Sequence, residues 1–108
     1  MANTFKLKTK ANVGVSTSNV YVVPSATTTV VIGVTLANTS GSSINVGFGV
    51  TRASTDDVKL MKNVPIPQGS SFEFMAGNKV VLETTDTLTV ESDVNNSLDV
   101  ALTIMEIT

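Results

Sequence analysis

Ile44-Asn45-Val46-Gly47-Phe48-Gly49-Val50 and Leu98-Asp99-Val100-Ala101-Leu102-Thr103-Ile104 each set an apolar residue at every second position. A period of two turns all the apolar side chains of an extended segment to one face. Val30, Ile32, Val34 and Leu36 repeat the ladder, and Leu88 with Val90 makes a shorter copy. The residues between are mostly Thr, Gly, Asn and Ser, which suit a face turned to water or to another protein. These segments predict an all-β fold: a single-domain antiparallel β-sandwich, jelly-roll or Ig-like, of eight or nine short strands.

Outward from the ladders, turn signals arrive at regular spacing. Asn38 to Ser43 reads as a Gly-containing hairpin loop, and Ser54 to Asp57 separates the second ladder from Val58-Lys59-Leu60-Met61. Pro65, Pro67 and Gly69 break the pattern before Ser71-Phe72-Glu73-Phe74, and Ala76 to Lys79 resembles a tight turn. Residues 1–26 differ in texture and read as an N-terminal arm or edge strand, with the sandwich over 27–108 and one domain overall. Pro24 closes a short strand at Asn19 to Val23.

Composition narrows the chemistry. The 108 residues include neither histidine nor cysteine, so the commonest general base, the thiol nucleophile and the thiolate zinc site are missing. No disulfide contributes to the fold. Paired carboxylates could in principle hydrolyse a glycoside, but one Tyr, four Phe and no Trp leave little for a sugar-binding cleft. The expectation is no enzyme and no cofactor. Calcium is weakly suggested by Asp56-Asp57 and by Glu83, Asp86, Glu91 and Asp93, whose spacing matches no calcium loop. A net charge of −2 and a single arginine, Arg52, argue against nucleic acid. No apolar run has the length of a membrane span, and the start of the chain lacks a signal-peptide pattern. Synthesis and folding in a cytoplasm is the expectation. Two glycosylation sequons, Asn38-Thr39-Ser40 and Asn95-Asn96-Ser97, are of the kind that chance supplies in a Ser/Thr/Asn-rich chain.

Charge is unevenly distributed. Lys6, Lys8 and Lys10 share one face of an extended start, whereas no basic residue follows Lys79 and six carboxylates do. One reading docks this lysine face on the acidic stretch of another copy or partner, at Glu91, Asp93 and Asp99. The other has the lysines guarding an edge strand against aggregation. Pro65 to Gly69 offers Ile66 either as an exposed docking knob or as part of an ordinary corner.

Val20-Tyr21-Val22-Val23-Pro24-Ser25, Thr27 to Ile32 and Leu36 to Ser42 resemble the opening of small virion structural proteins of tailed bacteriophages, such as those of cyanobacterial phages. The similarity continues in Pro65 to Gly69, Lys79 to Glu83, Asp86 to Val90 and Ser97 to Ile107. The resemblance implies a non-enzymatic β-sandwich of the virion, made in the host cytoplasm, that binds other virion proteins as a homo-oligomer. Capsid decoration is the leading position, where a trimer would suit a threefold site; a neck, tail or baseplate component is the alternative. A carbohydrate-binding host-adhesion module is the rival from another class, with Tyr21 as its one stacking candidate.

Overall fold

The computed structural model describes residues 3–52, 57–74 and 80–108. Among the described residues nine strands form two antiparallel sheets: β1 Asn3–Val13, β2 Ser18–Val22, β3 Thr28–Asn38, β4 Ile44–Thr51, β5 Asp57–Ile66, β6 Ser71–Phe74, β7 Val80–Leu82, β8 Thr87–Ser92 and β9 Leu98–Ile107. One sheet runs β1-β9-β3-β6, with β7 also paired to β3; the other runs β2-β8-β4-β5. The pairing is nested. β4 pairs with β5, β3 with β6 and β7, β2 with β8, and β1 with β9. That is one long hairpin rolled up, the winding of a jelly roll. The turns expected at Ser54–Asp56 and Ala76–Lys79 lie outside the described residues.

Three ladders fold with the parity expected. Ile44, Val46, Phe48 and Val50 of β4, Leu88 and Val90 of β8, and Leu98, Val100, Leu102 and Ile104 of β9 all turn into the core. The β3 ladder does not. Its register on β9 shifts between Val31 and Gly33, so Ile32 and Gly33 together lie opposite Thr103. One extra residue reverses the face of everything before it. The buried set of β3 is therefore Val31, Val34 and Leu36, while Val30 and Ile32 are half-exposed on the outside.

The segment Asn38–Ser43 is not a hairpin, because β3 and β4 belong to different sheets. It is a crossover fixed by Asn38. The buried amide donates to Ser42 O at 2.8 Å and Ile66 O at 2.9 Å, and its Oδ1 accepts from Ser40 N at 2.9 Å and Ser40 Oγ at 2.8 Å. With its nitrogen so committed, this sequon is closed to glycosylation in the folded chain. Asn38→Ala leaves these partners unpaired in the interior and is expected to lower stability by about 2 kcal/mol, read from the urea midpoint at unchanged m-value. β5 also continues through Pro65 rather than breaking there, since it is an edge strand and tolerates a residue without N–H.

Candidate interaction surface

The register of β1 on β9 decides which way the N-terminal strand faces. Lys6, Lys8 and Lys10 pair with Ile104, Leu102 and Val100, all core residues, so the lysines lie on the inner side of the sheet edge. Phe5 and Leu7 consequently point outward, 70% and 65% exposed. Burial of apolar surface would by itself favour the opposite orientation.

Phe5 stands in a row that crosses four strands: Phe5 of β1 beside Met105 of β9, Val30 of β3 and Val81 of β7. Val81 is 60% exposed. Ile107 flanks the row on one side, Leu7 and the bulged Ile32 on the other. Toward the other end of the same face the side chains become small. Thr9, Ala11, Thr35, Ala37 and Ala101, with Asp99 and Lys10 at its margin, line a shallow hollow of about 250 Å³. Among the described residues the registers place only two charged groups on this outer face, Asp99 and Glu73, both at the hollow end. A broad, nearly uncharged face with large apolar residues at one end has the composition of an interface core.

On the inner side, Glu106 occupies the next inward position after Ile104 and is buried. It accepts from the Tyr21 hydroxyl at 2.5 Å and pairs with Lys6 Nζ at 2.8 Å, and Tyr21 also meets Thr29 Oγ1 at 2.8 Å. These four residues join β1, β2, β3 and β9 across both sheets. Lys6 and the Tyr21 hydroxyl hold the Glu106 carboxyl below the usual carboxylate range, against its burial. Burial first, and the bond to Glu106 second, push Tyr21 up to about 12. Lys8 lies over the Tyr21 ring at 5.9 Å. The groups of this cluster satisfy one another, and it ties the sheets together. Its sequence signal was a polar residue on the apolar parity of a ladder, Glu106 after Ile104.

The structure separates the residues considered for charge-steered docking. Lys6 finds its carboxylate within its own chain. Glu91 pairs with Lys59 at 3.0 Å, and Asp93 accepts from Asn45 N at 3.0 Å, both at a polar hollow of about 410 Å³ on the other sheet. Asp99 lies instead on the outer face of the first sheet and accepts from Asn12 N at 3.0 Å. Glu91, Asp93 and Asp99 thus form no common strip. Ile66 is corrected outright: it pairs with Ile44 and is 1% exposed, a core residue rather than a docking knob. Tyr21, at 6% exposure, presents no ring to a sugar. Arg52 is held by Asp86 and Glu83, which raise its pKa further above the ordinary value. No group of three or more His, Cys, Asp or Glu among the described residues is placed to hold a metal ion.

The geometry defines an all-β jelly-roll domain whose most developed surface is a flat apolar sheet face. No protein-family model matches the sequence, and no curated protein matches it either. Among solved structures it is similar to a chain described under the words "Bacillus endospore appendages form a novel family of disulfide-linked pili". The TM-score is 0.60 at 11% identity, over 99% of this chain and 87% of that one. At that identity the likeness is one of fold.

Proposed function

We propose that this chain is a non-enzymatic structural subunit that works by packing its β1-β9-β3 face against other protein subunits. The orientation of β1 carries the reading: Phe5 and Leu7 face outward while three lysines face the interior edge. Such an arrangement is favourable when the outer face is covered in an assembly, since burial there recovers what the isolated chain leaves in water. The inward lysines also guard the sheet edge, so that a neighbour meets the face rather than adding a strand.

The setting proposed is the virion of a tailed phage, with capsid decoration first and a neck, tail or baseplate position second. The sequence resemblance to small virion proteins supports it. A second reading, a subunit of a surface fibre, is favoured by the fold likeness to the pilus chain. That polymer is described as disulfide-linked; this chain has no cysteine, so its own contacts would be noncovalent. The host-adhesion alternative loses support with the burial of Tyr21.

Quantitative mass spectrometry of purified particles, set against the major capsid protein, tests the setting. Hundreds of copies are expected for decoration, and a dozen or so would move the protein to the neck or tail. Absence from particles, together with fibres of the purified protein in negative-stain micrographs, would favour the second reading. Absence from both would end the structural one.

A further inference from the structure

The outer face of the first sheet has two unlike halves, and they match each other. Phe5 and Leu7 project at one end, and the small residues around Ala101 recede at the other. We infer that the occupant of this face is a second copy of the same chain, packed face to face about a two-fold axis that lies across the strands near the Leu7–Thr103 row. This rests on the structural-subunit reading and names its partner.

Three observations carry it. Rotation about such an axis sets the Phe5 projection of each copy into the hollow of the other and Leu7 against its own counterpart, an isologous contact in which every fit is made twice. The same rotation carries the Asp99 end of one copy to the Phe5 end of its partner. Stacking the faces with like ends together would instead bring Asp99 against Asp99, and Phe5 against Phe5. The area is also sufficient. Residues 3–11 of β1 span about 30 Å along the strand and four strands about 19 Å across, so covering one face with its equal removes on the order of 1,200 Å² from water, within the range of stable interfaces. Sheets stacked in this way sit about 10 Å apart with their strands roughly 30° from alignment.

Sedimentation velocity over a concentration series reads the result. The wild-type chain is expected to be dimeric at tens of micromolar. Ala101→Arg fills the hollow with a long side chain that blocks the Phe5 projection of the partner, and is expected to weaken the dimer at least about a hundredfold. Leu7→Lys, on the exposed side of an edge strand, sets two lysines against each other beside the axis without touching the core, and gives a monomer if the inference holds even should Ala101→Arg fail to fold. Thr103 lies by the axis, where it faces its own copy. Because the chain has no cysteine, Thr103→Cys should be joined by a short bis-maleimide into a covalent dimer, while Thr51→Cys on the other sheet should not. A wild-type monomer throughout, or a dimer unaffected by both face variants, overturns the inference. Either of those results with the protein still present in particles or fibres leaves the structural-subunit reading standing, so the two failures can be told apart.

Discussion

Phe48→Ala is expected to lower the unfolding free energy by about 4 kcal/mol, the typical cost of deleting a buried aromatic ring whose surroundings cannot collapse. Phe48 is 0% exposed in the middle of β4, paired with Val90 of β8 on one side and Met61 of β5 on the other. Its neighbours in the core, Val46, Val50, Leu88 and Val90, are themselves buried side chains on paired strands, which limits how far the site can close over a void. A domain of this size has a total stability of about 5–15 kcal/mol, so the variant loses a large share. A urea midpoint displaced by less than a quarter of that amount would show that the ring is not the keystone of the second sheet. Exposed Phe5 supplies the contrast. Phe5→Ser should leave the monomer's stability within about 0.5 kcal/mol, as for most surface substitutions.

Glu106→Ala is expected to cost about 3 kcal/mol, because the buried Tyr21 hydroxyl loses its charged acceptor inside the sandwich while Lys6, partly exposed, can return to water. The pH dependence identifies the network. Glu106 titrates below its unfolded value of 4.5, so it stabilises the fold above that pH, and the stability is lost as pH falls through the lowered folded value. Tyr21 is raised from 10.0 to about 12, so it contributes stability below pH 10.0 that is lost as pH rises toward 12. The alkaline loss is on the order of 3 kcal/mol. Glu106→Ala should abolish the acid limb and keep part of the alkaline one, since burial is the larger cause of the Tyr21 shift. Tyr21 is the one tyrosine of the chain. Its ultraviolet titration therefore reads the alkaline limb directly, and a midpoint near 10 in the folded protein would refute the network.

Both residues bear on what patterning reveals. Phe48 was legible as core from its ladder. Glu106 sat in plain sight on the inward parity of β9, but a carboxylate at the end of a ladder reads as a solvated terminus until its partners are known. Those partners, Lys6 and Tyr21, lie far away in sequence and arrive through the β1–β9 and β2–β8 pairings. Ile66 is a similar case. Flanking prolines mark a corner, but only the register with Ile44 shows that its side chain turns inward.

The sequence by itself determined the fold class, the apolar ladders of β4, β8 and β9, and the absence of histidine and cysteine chemistry. Alternation is a local property of an extended chain, and composition needs no fold at all. Only the tertiary structure decided which face is inside in β1 and in the first half of β3. Apolar parity names the buried face only while the register runs unbroken, and an added residue such as the bulge at Ile32–Gly33 exchanges the faces. In β1 the pairing with β9 set the lysines inward and Phe5 and Leu7 outward, against the preference of the isolated segment. The candidate interaction surface exists because long-range register overrode local pattern there.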